Sequence, residues 1–379
     1  MHIRVLVHAL LTVRARILAL GFARWVASTN SDHTFDFVAF RSGPLLNDFS
    51  AIGPTRVLLD PMEPWDHHSP EPQRVEVARS RCAGVGPTDV TVAVSVSAAQ
   101  SLPCLPRPLG PLATWSVEVG EDLHWVDNTT GLLDENDLWM AGSKATQDEL
   151  AERLPVGTPI EFVPEFIPST PDPDETVVAN CRTSLDVDPA GLLVAGAGIA
   201  TRRKGADLFI EAALESMRRH GSRDRFVWIG GERDQSFFRF RDEALRIGAT
   251  NVRFLGNVVD VEPWIAAADV LLHTARLDSF PLVCLHAASV RTPTIGFDGV
   301  GGLREMFEET TIAAPFPDIV GVVDLLDGLR SEPDRVDAGA AQNQHITGRF
   351  TAASAAGAVL DELERLVNRP DPAYATGHL

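Results

Sequence analysis

The stretch Val270-Leu271-Leu272-His273-Thr274-Ala275-Arg276-Leu277-Asp278-Ser279-Phe280-Pro281-Leu282-Val283-Cys284-Leu285-His286-Ala287 sets the reading of the whole chain. It opens with a short apolar run of strand length and passes through a polar loop. It then continues as an apolar stretch that reads as a helix from Leu282 to Val290. A buried strand, a loop and a helix in that order make half of a parallel βαβ unit. Asp278 sits in the loop after the strand, and His286 follows eight residues later, inside the helix. A loop carboxylate and a helical imidazole placed this way can both address one ligand at the carboxyl end of the strand.

The same alternation extends on both sides. Upstream, Leu192-Leu193-Val194-Ala195-Gly196 reads as a buried strand and Ala206 to Arg219 as an amphipathic helix. Arg225 to Ile229 and Asn251 to Leu255 read as strands that end at Gly230-Gly231 and Gly256, and Pro263 to Ala268 reads as a short helix. Downstream, Thr294-Ile295-Gly296-Phe297 reads as a strand running into Asp298-Gly299-Val300-Gly301-Gly302. This is the pattern of a doubly wound α/β domain. Trp228 and Trp264 fall in strand and helix contexts and are expected in the core.

The first half carries a weaker version of the pattern. Ile3 to Val7, Phe35 to Phe40, Arg56 to Leu59, Thr91 to Val96, Ala113 to Val117 and Leu138 to Ala141 read as strands, and Lys144 to Leu154 as a helix. Residues Asp60 to Pro72 read as a loop. Between Pro164 and Pro189 prolines and acids accumulate, which marks a connection between domains. The expected organisation is a first domain over residues 1–170, a linker over 171–190 and a second domain over 191–349. A final helix at about 350–368 crosses back to the first domain.

Composition narrows the function. The chain has 379 residues with 33 Lys+Arg against 52 Asp+Glu, a formal charge of −19, which argues against a general nucleic-acid binder. The 45% hydrophobic and 22% charged content is ordinary globular usage. Cys82, Cys104, Cys181 and Cys284 are widely spaced, as buried free thiols of a reducing cytoplasm would be. No apolar run is long enough for a membrane span. Met1 to Ser28 carries Arg4, Arg14, Arg16 and Arg24 with no acid, interleaved with apolar residues. That arrangement suits a helix packed on a sheet, with peripheral contact to an anionic membrane face as the alternative. Its arginines run throughout, unlike a signal peptide.

Arg202-Arg203-Lys204-Gly205 falls between a strand and a helix start, where cations and free N–H groups suit a diphosphate. The chain holds only two lysines, Lys144 and Lys204. Gly301, Gly302 and Leu303 open another helix with bare amides, a second place for an anion. Gly196-x-Gly198 is not the dinucleotide fingerprint, because Thr201 takes the place of its third glycine. Asp66-His67-His68 resembles metal ligands without a third partner, and Asn128-Thr129-Thr130 matches a glycosylation acceptor pattern; neither is expected to function.

The order of the Lys204-Gly205 turn, the Gly230-Gly231 strand end, NVRFLG (251–256), AADVLLHTARLDSFPLVCLHAA (267–288) and GFDGVGGLREMF (296–307) resembles family-4 retaining glycosyltransferases. More loosely, ARILALGFARWVASTN (15–30), FRSGPLLNDFSAIGPTRVLL (40–59) and WMAGSKATQDELAERL (139–154) with VPEFIP (163–168) resemble their acceptor domain. The resemblance implies the GT-B fold, two Rossmann-like doubly wound domains facing a cleft. It also implies retaining, metal-independent sugar transfer from a nucleotide-diphosphate donor to a glycan or glycolipid acceptor, with no cofactor, in polysaccharide biosynthesis. By the same resemblance, Arg203 and Lys204 neutralise the diphosphate, and Gly301, Gly302 and Leu303 offer amides. Asp278 touches sugar hydroxyls, His286 stands at the ribose position, Gly230 and Asn257 lie near the nucleoside, and Glu118 serves the acceptor side. The expected location is the cytoplasm, at the inner membrane face.

Three departures accompany the resemblance. His286 stands where the family has a carboxylate, and a neutral imidazole offers one acceptor instead of several. His8-Ala9-Leu10-Leu11-Thr12 holds no glycine where the family has a Gly-rich loop. Val117-Glu118 lacks the histidine of a His-Glu pair, and His124 follows nearby. The alternative reading is a catalytically impaired relative that binds a nucleotide sugar or a partner within a glycan-assembly complex.

Overall fold

The computed structural model describes residues 1–11, 14–29, 32–59, 72–107, 109–123, 136–168, 172–300 and 302–369. The chain divides into two compact units, Met1–Pro168 with Phe350–Leu379, and Ser169–Arg349.

The first unit is built on a parallel sheet of seven strands: β1 (His2–Ala9), β2 (Thr34–Arg41), β3 (Thr55–Leu59), β4 (Val90–Val94), β5 (Leu112–Ser116), β6 (Leu138–Ala141) and β7 (Ile160–Phe162), in the order β3-β2-β1-β4-β5-β6-β7. β4 and β5 are buried along their whole length, as strands covered on both faces must be. One face carries Val5, Val7, Phe37, Val92, Val94, Trp115 and Met140, and the other Leu6, Val38, Phe40, Ala93, Trp139 and Ala141. This is the period-2 alternation of a strand expressed across the sheet. Arg4 is buried on β1 and grips Asp36, its register partner on β2, through Nε and Nη2 at 2.9 and 2.8 Å.

The helix Arg14–Ser28 lies on the first face, with Leu18, Ala19, Phe22, Ala23 and Val26 fully buried. The chain returns to this face at its far end. Thr351 pairs in parallel with Ile167 and caps the π-helical turn Ala352–Ala356 through a reciprocal bond with Ser354. The helix Gly357–Val367 then buries Val359, Leu363 and Leu366. Gly357, at the start of this helix, faces the Trp25 ring, which a Cβ there would meet at 3.5 Å in ordinary van der Waals contact.

The second unit repeats the plan with six parallel strands: β8 (Leu193–Ala197), β9 (Arg225–Ile229), β10 (Val252–Gly256), β11 (Val270–His273), β12 (Thr294–Asp298) and β13 (Ile312–Pro315), in the order β10-β9-β8-β11-β12-β13. Its core joins Val194, Phe226, Trp228, Leu272 and Phe297 to Phe209 and Ala213 of the helix Ala206–His220 and to Val322 and Leu326 of the helix Ile319–Gly328. Trp228 is buried, and its indole N–H donates to the Gly198 carbonyl at 3.0 Å. Trp264 is only partly buried.

The segment expected to be a linker, residues 171–190, is corrected by the structure. It holds the helix Glu175–Thr183, started by Asp174, whose carboxylate accepts the Thr176 and Val177 amides at 2.7 and 3.2 Å. Arg182 then ties this helix to the Ala267 carbonyl and to Asp269, at 2.8 and 3.0 Å. The acids and prolines read as linker composition are a helix cap and its approach, and this helix belongs to the second unit. All four cysteines are buried and free.

Candidate functional site

In the second unit the strand order reverses between β8 and β11, and at such a switch point ligands of open α/β sheets gather at the carboxyl ends of the strands. The β8 loop contributes Thr201 to Gly205 and the β11 loop Thr274 to Pro281. Three bonds stitch them together: the Arg276 amide to the Arg203 carbonyl at 2.8 Å, Arg276 Nη1 to the Arg202 carbonyl at 2.7 Å, and the Thr274 hydroxyl to the Lys204 carbonyl at 3.3 Å. Gly205 makes the closest approach. It has φ of 74°, and a Cβ there would stand 1.9 Å from the Thr274 carbonyl oxygen.

At this junction Lys204 Nζ binds Asp278 Oδ2. Asp278 is 2% exposed and Ser279 and Phe280 are fully buried, so the carboxylate is presented by a loop pinned into the core. Arg203 is exposed and donates to the Leu277 carbonyl at 3.3 Å. Arg276 forks onto both oxygens of Asp207 at 2.7 and 2.8 Å, in the first turn of the helix Ala206–His220. The Gly205 cap position provides no side chain for that helix's leading N–H groups, which leaves a partial positive charge beside Arg203 and Lys204.

The β12 loop completes this edge. Gly302 caps the helix Leu303–Phe307 with φ of 86°, and a side chain on it would collide with Pro281 Cδ at 2.4 Å and approach the Ser279 carbonyl at 2.9 Å. The turn carrying Gly302 and Leu303 is therefore packed on the Asp278 loop. Arg304 holds the turn by a two-pronged bond to Asp298, at 2.8 and 2.6 Å. Gly301 lies outside the described residues. On the other side, Gly230 and Gly231 pack on the β8 loop: a Cβ on the first would stand 3.1 Å from the Gly198 oxygen, and one on the second 3.1 Å from the Ala200 nitrogen. Asn257 is exposed, one residue past the edge strand β10.

His286 lies in the helix Leu282–Ser289, with Nδ1 2.9 Å from Glu262 Oε1. The imidazole holds the Glu262 carboxyl below its usual range, against the opposing effect of burial. Sequence reading missed Glu262; its position just past β10 in a doubly wound domain was the available signal. Also missed was His273, the last residue of β11, which is buried with Nε2 unpartnered; burial pulls its pKa down to about 4.

Glu118 is in the first unit, past the carboxyl end of β5. Its Oε2 accepts from the Ser116 hydroxyl and the Val117 amide, both at 2.9 Å, and its carbonyl accepts from the Thr146 hydroxyl at 3.0 Å. Arg14 lies alongside, donating to the Val117 carbonyl at 3.1 Å and to the buried Glu165 at 3.3 Å. Arg16 donates to the Ala9 carbonyl at 3.0 Å; burial lowers its pKa while the Glu118 charge acts the other way.

Around the N-terminal helix, Arg4, Arg14 and Arg16 are turned to acceptors inside the unit, Arg24 pairs with Asp48, and Arg24, Ala27 and Ser28 of the helix are exposed. No helix among the described residues is long and apolar enough to cross a membrane. His124, Asp66-His67-His68 and Asn128-Thr129-Thr130 lie outside the described residues. Glu308, Glu309 and His345 come close enough together to hold an ion, but the two acids are exposed and Arg349 already binds Glu308 at 2.7 Å.

Two parallel Rossmann-like sheets, with polar groups gathered at a switch point, define the GT-B class of fold. HepE from Anabaena, solved in complex with UDP and glucose, matches with a TM-score of 0.74 at 14% identity, over 96% of this chain and 99% of its own. A glycosyltransferase from Rickettsia africae matches with a TM-score of 0.75 at 12% identity, over 97% and 99%. Residues 190–329, within the second unit, match the family described as Glycosyl transferases group 1. D-inositol 3-phosphate glycosyltransferase of Corynebacterium urealyticum is 25% identical over 265 residues, 67% of this chain and 61% of the relative. The lipopolysaccharide core biosynthesis mannosyltransferase LpsB of Rhizobium meliloti is 25% identical over 197 residues, 48% and 55%. In both matches the chain spans less than two thirds of the relative's length.

Proposed function

We propose that this protein transfers a sugar from a nucleoside-diphosphate donor, bound by the second unit, to a glycan or glycolipid acceptor, with retention of anomeric configuration and without a metal. The observation that carries the reading is the meeting of Lys204 and Asp278 at the β8–β11 switch point. In this reading Lys204 and Arg203 neutralise the diphosphate and stabilise it as it leaves, the role a metal has elsewhere. Gly301, Gly302 and Leu303 supply amides to phosphate or sugar. Asp278 accepts from sugar hydroxyls, His286 with Glu262 lies toward the ribose, Gly230 and Asn257 border the nucleoside, and Glu118 serves the acceptor. The nucleotide in the HepE complex and the sugar-transfer names of both sequence relatives support this assignment. The four free thiols suit the cytoplasm as its place of action.

The experiment is donor turnover by the parent and by Lys204→Ala across UDP- and GDP-linked sugars, with product anomers read by NMR. The expected outcome is transfer with retention, unaffected by a chelator, and a loss of about a hundredfold in the variant. Transfer abolished by the chelator would overturn the metal-free step. A second reading, binding without turnover, is favoured by one feature: the β1 end holds His8 stacked on Phe40 at 5.6 Å, where the resemblance expects a glycine loop. A parent that is stabilised by nucleotide but never turns over a donor would establish it.

A further inference from the structure

On the function proposed above, a diphosphate lies beside Arg203 and Lys204 at the start of the helix Ala206–His220. That helix carries an acid in its first turn, Asp207, whose side chain is 18% exposed. An acid there suits the helix, but its charge opposes a second anion at the same end. The β11 loop answers it. Arg276 donates to Oδ1 and Oδ2 of Asp207 at 2.7 and 2.8 Å, a planar fork matched to both carboxylate oxygens, and Arg202 stands 3.8 Å from Oδ2. The same loop takes the carbonyl oxygens of the turn before the helix. Arg276 binds those of Arg202 and Arg203, through Nη1 and its amide, and the Thr274 hydroxyl binds that of Lys204. Negative and partly negative groups of this turn are therefore engaged within the protein, beside the place proposed for the phosphates.

We infer that Arg276 is a positioning residue for diphosphate binding: it neutralises Asp207, so that Arg203, Lys204 and the leading N–H groups of the helix meet a phosphate as a net positive end. Its guanidinium is spent on Asp207 and the Arg202 carbonyl, and it acts on the ligand through them. The inference rests on the nucleotide reading of this site. The Arg276–Asp207 pair sums to zero charge. Removing the arginine alone leaves a bare carboxylate beside the phosphates, removing the acid alone leaves an extra cation, and removing both restores the balance. A bond that merely joined two loops would lack this symmetry.

The test is calorimetric titration of the full chain with UDP, GDP and inorganic pyrophosphate, for the parent, Arg276→Gln, Asp207→Asn and the double variant. Arg276→Gln should weaken the tightest of the three about tenfold. Raising the salt from about 0.1 M to about 1 M should shrink that loss, because the screening length falls from about 10 Å to about 3 Å. Asp207→Asn should bind at least as tightly as the parent, and the double variant should return to within about twofold of it. A double variant that melts cooperatively yet binds as weakly as Arg276→Gln overturns the inference, because Arg276 then acts by shaping the loops or by touching the ligand. Unchanged affinity in Arg276→Gln, or weakened affinity in Asp207→Asn, also overturns it and leaves the nucleotide reading in place. Where Arg276→Gln alone does not fold, the double variant decides: affinity like the parent's supports the inference, and a loss of about tenfold overturns it. If the parent binds none of the three probes, the nucleotide reading fails and this inference with it.

Discussion

His286 and Glu262 show how a substitution at one position is answered at another. The imidazole offers a single acceptor, but it stands 2.9 Å from the Glu262 carboxylate, which brings further acceptor capacity to the same place. The two side chains should therefore act on bound nucleotide as a unit. Glu262→Gln and His286→Ala should each weaken nucleotide binding, and the double variant should be no weaker than the worse single one. The coupling expected from a double-mutant cycle is about 1 kcal/mol. Additive losses would show that the residues contact the ligand independently or not at all. The residue scale is also where the sequence was hardest to read. Lys204 and Asp278 were visible because they follow strands in an otherwise apolar context, whereas Glu262 lay among other acids and prolines with nothing to mark its partner.

Among the elements, the turn from β8 into the helix Ala206–His220 bears the greatest steric constraint. Gly205 adopts a left-handed conformation and leaves no room for a Cβ against Thr274, whereas Gly299, with φ of 77°, has nothing within 4 Å of that position. The two glycines separate conformation from contact. Gly299→Ala should cost about 1 kcal/mol of stability, the ordinary penalty of a left-handed alanine. Gly205→Ala should cost several times as much and abolish nucleotide stabilisation, because the β8 and β11 loops must part; equal melting shifts in the two variants would refute this. Elements with continuous apolar runs, β4, β5, β8 and β11 above all, were legible from composition alone. Two of the edge strands were not: β7 (Ile-Glu-Phe) is largely exposed, and β13 (Ile-Ala-Ala-Pro) is short and ends in proline. The helix Glu175–Thr183 was hidden by its own cap, since Asp174 and its flanking prolines are also the composition of a connection.

At the scale of the whole molecule, the acid limb of stability should be set in part by Asp224. This residue is 2% exposed and accepts from Arg330 at 3.1 and 2.7 Å, the Leu192 amide at 2.9 Å and the Ser216 hydroxyl at 2.5 Å, joining the start of β8 to the helix Ala206–His220 and to the segment that follows the helix Ile319–Gly328. Burial by itself raises its pKa, but Arg330, Leu192 and Ser216 together outweigh burial and leave it lowered. A lowered pKa in the folded state contributes stability that is present above the unfolded value, about 3.9, and lost as pH falls through the folded one. Asp224→Asn should lose on the order of 2 kcal/mol at pH 7 and show a shallower decline in Tm between pH 5 and pH 3 than the parent. Parallel declines would exclude Asp224 from the acid transition. The return of residues 350–367 to the sheet of the first unit has a different consequence, for the order of events on the ribosome. Of the apolar face above β1, the helix Arg14–Ser28 covers one part early, but the rest stays bare until Val359, Leu363 and Leu366 emerge, long after Ser169–Arg349 has everything it needs to close. The later-synthesised half is thus the earlier to mature, and the nascent leading half is the one that a holding chaperone must shield.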